Sequence, residues 1–227
     1  MKYIIFGLGN FGSSLGAMLT DLGNEVIGVD TDMQKVETHK ERITNTICLD
    51  AKDPFALTTL PLAEADGVIV AIGEDFGASV MITALLKEKN IKRLITRSTS
   101  PVHESVFKAL GVEEILHPEM EAAERLVKRM SSQNVIDSYN IGQDHQLLEV
   151  LVPKRYVGQK VVEIDFKGRL QLNLVSIIKH RSAGTSISEP FNPGHAVDFV
   201  YAGSELEDGD VLVLFGKRTN IRKFAGE

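Results

Sequence analysis

A chain of 227 residues with 31 acidic and 25 basic side chains carries a formal net charge of −6, which disfavours non-specific binding to nucleic acid and to anionic membrane surfaces. Its 43% apolar content supports one large domain or two small ones, and its one cysteine excludes an intrachain disulfide, as in a reducing cytoplasm. Apolar stretches such as Ala78 to Leu86 fall far short of the roughly 18 residues that span a bilayer, so no direct membrane insertion is expected and any membrane role passes through a partner.

The chain starts on a strand-like run, Tyr3-Ile4-Ile5-Phe6, so no signal peptide is expected. The run leads straight into Gly7-Leu8-Gly9-Asn10-Phe11-Gly12, and a second strand, Val26-Ile27-Gly28-Val29, ends on Asp30. This is the layout of a dinucleotide-binding βαβ unit. One glycine permits the tight turn, another lets the backbone approach a pyrophosphate, and the third lets the helix pack close to the strand. The helix N-terminus offers free N–H groups and a positive dipole end to phosphates. Asp30 is suited to accept hydrogen bonds from a ribose hydroxyl and to repel a 2′-phosphate, or else to cap the helix that follows.

Strand patterns near residues 2–6, 25–29, 46–49, 67–72, 93–97 and 112–116 alternate with helical patterns near 11–22, 32–41, 53–60, 76–89 and 101–110. The alternation predicts an α/β fold, a Rossmann-like doubly wound parallel sheet with helices on both faces. Leu15, Met18, Leu19 and Leu22 follow helical spacing after the glycine loop, and Val68-Ile69-Val70-Ala71-Ile72 reads as a strand buried on both sides. Cys48 lies on the third strand and reads as a buried small apolar residue.

A helix is expected from Pro118 to Gln133, with an apolar stripe of Ala122, Ala123, Leu126, Val127 and Met130 that is either a core face or an intersubunit surface. The pattern then becomes strand-dominated: Leu147–Val152 and Leu172–Ile178 read as strands, Val161–Ile164 as a short helix, and 181–197 as a polar loop or hairpin. The turn Glu207-Asp208-Gly209-Asp210 leads into a last strand, Val211 to Phe215. The division expected is a nucleotide-binding domain over 1–117, a crossover helix and linker over 118–138, and a small α+β domain over 139–227. No internal repeat or low-complexity tract is present.

The glycine loop, the strand end at Asp30, Leu49-Asp50-Ala51 after the third strand and Ala71-Ile72-Gly73-Glu74 after the fourth together resemble an RCK domain. RCK domains are the regulatory nucleotide-binding domains of Trk and Ktr potassium uptake systems and of some potassium channels. The second half is similar to the RCK C-terminal (TrkA-C) domain, through Tyr156-Val157-Gly158-Gln159-Lys160-Val161-Val162-Glu163-Ile164 and through Glu207 to Gly216.

The resemblance implies site residues by position. Gly7, Gly9, Asn10, Phe11 and Gly12 form the phosphate loop, and Asp30, Thr31 and Asp32 match ribose-binding positions. Asp50 and Ala51 match positions beside the adenine, and Ala71, Ile72, Gly73 and Glu74 the loop that closes over the ligand. Arg97, Ser98 and Thr99, with nearby His103, match the fifth strand end that reaches phosphate, and Glu119 an acid near the phosphate or a bound cation. Bland readings stand beside several of these: Arg97 as a surface residue, Glu74 with Asp75 as acids favouring a helix start, and Glu119 as a first-turn acid. Asn10 departs from the family pattern, since several members carry arginine there to sense a triphosphate. That leaves Arg97 to supply more of the positive charge and keeps NAD(H) beside ATP or ADP as the ligand. In some relatives the second domain binds a cyclic dinucleotide, and the 180–197 loop is polar enough to do so here.

The function implied is a cytoplasmic nucleotide-binding regulatory subunit, peripheral at the inner face of the membrane. It would gate a Trk/Ktr-type membrane ion-translocating subunit by ligand-dependent conformational change, as a homodimer assembled into a larger ring. No catalytic residue and no metal ligand is expected; the six histidines, His39, His103, His117, His145, His180 and His195, show no metal-ligand spacing. The alternative is a small NAD-dependent oxidoreductase, for which the chain offers only a thin second domain.

Overall fold

The computed structural model describes residues 1–89, 91–131, 134–179, 196–198 and 200–225. The chain divides into two compact units, Met1–Glu121 and Ala122–Glu227.

In the first unit, β1 (Lys2–Phe6), α1 (Asn10–Asp21), β2 (Glu25–Asp30), α2 (Met33–His39), β3 (Asn45–Cys48), α3 (Pro54–Leu57), β4 (Gly67–Val70), α4 (Phe76–Lys87), β5 (Leu94–Arg97), α5 (Pro101–Ala109) and β6 (Glu114–Leu116) follow one another, and α6 (Pro118–Ser131) begins. The six strands form one parallel sheet in the order β3-β2-β1-β4-β5-β6. Successive side chains of β1 point to opposite faces, so Ile4 and Phe6 enter one core with Val29, Val68 and Val70, while Ile5 enters the other with Val26, Ile43 and Ile69. All four residues of β4 are buried. This is the doubly wound Rossmann-like sheet, and its strand order reverses between β1 and β4.

Asp32, Asp53, Asp75 and Ser100 cap α2, α3, α4 and α5 by accepting hydrogen bonds from backbone N–H groups of the first turns. α1 buries Gly12, Ser13, Gly16 and Ala17, whereas Met18 and Leu22 of the expected apolar stripe are exposed. Leu15 and Leu19 only flank this core. The small residues let the helix backbone settle so close to the sheet that a Cβ on Gly16 would lie 2.9 Å from Ile43 Cδ1. Cys48 is exposed, not buried, because it ends β3 at the sheet edge, with Sγ 3.5 Å from Thr31 O. β4 stops at Val70, two residues before the apolar run ends, which frees Ala71 and Ile72 for the loop beyond it.

The second unit contains β7 (Val135–Ile141), β8 (His145–Leu151), a 3₁₀ turn (Lys154–Tyr156), α7 (Val161–Ile164), β9 (Leu172–Lys179), β10 (Ala196–Asp198), β11 (Val211–Lys217) and α8 (Arg218–Ala225). The strands form an antiparallel sheet in the order β10-β9-β11-β8-β7. β7 and α8 are additions to the sequence-based assignment. α8 is held through Ile221 and Phe224, three residues apart and both buried, and the Phe224 ring stacks on Tyr156 at 5.2 Å. The turn before β11 is locked by Asp210, whose Oδ2 accepts from Glu207 N and from Lys179 Nζ, each at 2.8 Å. The expected 181–197 loop, and with it the cyclic-dinucleotide expectation, lies outside the described residues apart from the start of β10. α6 carries Leu126, Val127 and Met130 exposed, so among the described residues its apolar stripe is not a core face.

Across β7 and β8, Glu149 pairs directly with Asp137, which also accepts from Tyr139 Oη at 2.9 Å. Burial, and then the neighbouring Asp137 charge, push the Glu149 carboxyl pKa up. The fold therefore favours the neutral acid, and this contribution is present below the ordinary carboxyl pKa and lost as pH rises through the elevated one. Glu149→Gln is expected to raise the thermal midpoint of the second unit at pH 8, with the gain shrinking as pH falls into the acid range; a series of melts across pH measures it.

Candidate nucleotide site

The reversal between β1 and β4 opens a cleft of about 510 Å³ at the C-terminal ends of the strands, where ligands bind in open α/β sheets. Gly7, Gly9, Asn10, Asp30, Thr31, Asp50, Ala51, Ala71, Ile72, Gly73, Glu74 and Arg97 line it. These residues come from five separate strand ends, those of β1 to β5, and the parallel sheet brings them to one place.

The three loop glycines differ in what requires them. Gly7 has φ +97°, and a Cβ there would sit 2.9 Å from Ile72 Cγ1. A Cβ on Gly12 would lie 1.9 Å from Gly7 O, so α1 rests directly on the turn. Gly9 has ordinary extended backbone (φ −69°, ψ −173°), and a Cβ on it would meet nothing within 4 Å. Neither conformation nor packing within the chain demands glycine at position 9. The space it leaves is open to the cleft, beside the free N–H groups at the start of α1.

Asp30 is not the cap of α2; Asp32 is. Asp30 Oδ2 accepts from Leu8 N at 2.7 Å and Oδ1 from Asp32 N at 2.9 Å, which ties the glycine turn to the end of β2. The carboxylate thus has a structural task while still facing the cleft.

Arg97 is fixed by several contacts. Its guanidinium lies 5.6 Å over the Phe11 ring, and Nη1 is 3.4 Å from Ala71 O. A Cβ on Gly73 would lie 2.9 Å from Arg97 Cζ, so the glycine makes room for it. Nη2 pairs with Glu119 Oε1 at the start of α6. Burial works to raise the Glu119 pKa, but the hydrogen bond from Arg97, a backbone hydrogen bond and the Arg97 charge together hold it below the usual carboxylate range.

Seven of the expected residues do not line the cleft. Phe11 supports Arg97, Gly12 supports the turn, Asp32 caps α2, and Glu119 reaches the cleft through Arg97. Ser98 is buried with Oγ donating to Ser100 O, and Thr99 lies 3.4 Å from His103 Nδ1. His103 is fully buried between the Phe76 and Phe107 rings, with centroids at 4.8 and 4.2 Å. Burial lowers its pKa, which suits a neutral core histidine. Lys35 and Lys52 line the cleft and were not anticipated; their position just past the ends of β2 and β3 was the available signal. A second hollow of similar size beside β3 and α2 lacks the glycine loop and the arginine. Among the described residues no group of three or more His, Cys, Asp or Glu could hold a metal ion.

The TrkA-N domain family model matches residues 3–118. The chain is 29% identical over 223 residues to the Ktr system potassium uptake protein C of Bacillus subtilis (strain 168), covering 98% of this chain and 95% of that one. It is 24% identical over 226 residues to the Ktr system potassium uptake protein A of the same organism, covering 100% and 96%. Among solved structures, the GsuK channel bound to NAD superposes with a TM-score of 0.63 at 15% identity, which is a likeness of fold. The match covers all of this chain and 39% of that one, so the chain spans well under half the channel's length.

Proposed function

We propose, because this chain belongs to the TrkA-N domain family, that it is a nucleotide-binding regulatory subunit that gates a membrane potassium transporter. The observation that carries the reading is the cleft itself: a glycine at position 9 that nothing in the chain requires, beside a helix N-terminus and opposite a held arginine. An adenine nucleotide with a phosphoanhydride group fits that donor set. Such a ligand would supply negative charge to the loop amides and Arg97. Asp30, Thr31 and Asp50 would orient the ribose and base, and Ala71–Gly73 would close on them. NAD(H) and ATP or ADP share this chemistry, and the absence of a positive charge at Asn10 favours a diphosphate over a triphosphate.

Binding acts as a signal only through unequal affinity for two conformations. Moving a population from 1:99 to 99:1 takes about 5.5 kcal/mol of preference, which several identical subunits can share. The exposed stripe on α6 supports a second copy of the chain as the packing partner. Among the described residues no helix is long and apolar enough to cross a membrane, which supports attachment through an ion-translocating subunit. The names of the two Ktr relatives favour this regulatory role over the oxidoreductase reading.

The test is potassium flux through a reconstituted Ktr-type membrane subunit with and without this chain. Flux is expected to change when NADH, ADP or ATP is added, and only when the chain is present. Nucleotide binding without any change in flux would overturn the regulatory role.

A further inference from the structure

The Arg97–Glu119 pair sets an anion of the protein itself against the arginine that lines the cleft. The Arg97 side chain is 17% exposed, and its Nε is buried without a partner, so the guanidinium is desolvated and only partly satisfied. The backbone carbonyl of Ala71 and the Phe11 ring position it but carry no formal charge. Among the described residues its carboxylate partner is Glu119, whose side chain is 60% exposed and able to swing into water. Glu119 is in the first turn of α6, and α6 runs from the first unit into the second.

We propose that the Glu119 carboxylate is a resident competitor for the arginine of the cleft, so that a nucleotide phosphate and the first turn of α6 contend for Arg97. The inference rests on the nucleotide-binding reading above and adds a coupling to it. Arg97 meets one anion in either state. Without nucleotide, that anion anchors the start of α6. With nucleotide, the phosphate takes its place and Glu119 is released. By linkage, whatever favours the anchored turn must weaken nucleotide binding by the same factor. Glu119 is then a positioning residue set against the ligand.

Calorimetric titration of the full chain with ADP and with NADH, in EDTA to exclude bridging cations, tests this with E119Q. A second variant, E121Q, removes an acid from the same turn that does not touch Arg97. E119Q is expected to bind about two- to fivefold tighter than the unaltered chain, the range expected for release of a partly exposed ion pair, and E121Q to bind equally. Hydrogen exchange over residues 118–126 is expected to rise when nucleotide is added to the unaltered chain. In E119Q it should already be high and respond little. Equal or weaker binding by E119Q, an equal gain in E121Q, or exchange indifferent to nucleotide would each overturn the competition while leaving the nucleotide site intact. No binding by any of the three proteins would overturn the nucleotide reading and this inference with it.

Discussion

Gly12→Ala is expected to lower the thermal midpoint of the first unit by about 10 °C or more and to abolish nucleotide binding. The added methyl carbon would stand 1.9 Å from the carbonyl oxygen of Gly7. A flexible side chain could rotate away from such a contact, but a backbone oxygen cannot. Gly7 is pinned in turn, with its N donating to Val29 O at 2.8 Å and the next amide, that of Leu8, donating to Asp30 Oδ2 at 2.7 Å. Relief therefore requires either the start of α1 to lift from the sheet or the turn to leave β2. Lifting α1 opens the core where Gly16 meets Ile43, and shifting the turn strips Asp30 of a partner. Overpacking of a well-filled site costs about 1–3 kcal/mol, and this one lies at the upper end because both escapes break something else. Circular dichroism melts and an ADP titration would measure the two effects together. A variant with an unchanged midpoint would show that the turn tolerates displacement and would refute the tight seating of α1.

Much of the first unit was legible in the sequence because buried parallel strands write themselves as short apolar runs between capped helices. Val68-Ile69-Val70 after the turn and Asp75 before α4 are both of that kind. Where reading by pattern failed, the physics was of another kind. The buried face of α1 is made by small residues, which mark close approach and not hydrophobic mass, so Met18 and Leu22 misled. Cys48 sits at the open edge of the sheet, and strand order is not written locally. β7 mixes Asp137, Ser138 and Asn140 among apolar residues and straddles the expected boundary at 138, and α8 depends, among the described residues, on two buried anchors. In the site, the strand-end positions were readable because topology places them all at one edge. The tasks of Asp32, His103 and Glu119 were not, since capping, ring packing and pairing with Arg97 arise only once separate elements meet.

Gly9→Asp is expected to separate the two things a glycine loop does. Aspartate is among the best residues for the N-cap position that Gly9 occupies, and the extended backbone there accepts it without strain. Its negative charge also complements the helix dipole, so folding stability should hold or rise, by about 0.5 kcal/mol at most. The same carboxylate would project into the space that nothing in the chain fills. A phosphate within about 4 Å of it meets repulsion of up to about 4 kcal/mol at the effective dielectric of a protein surface, so ADP and NADH affinity should fall about a hundredfold or more. Opposite signs for stability and binding are what distinguish a ligand-facing glycine from a structural one; Gly12→Ala must lose both. If Gly9→Asp bound either nucleotide as well as the unaltered chain, the pyrophosphate could not lie against the start of α1. The charge of Arg97 would then have to serve Glu119 alone.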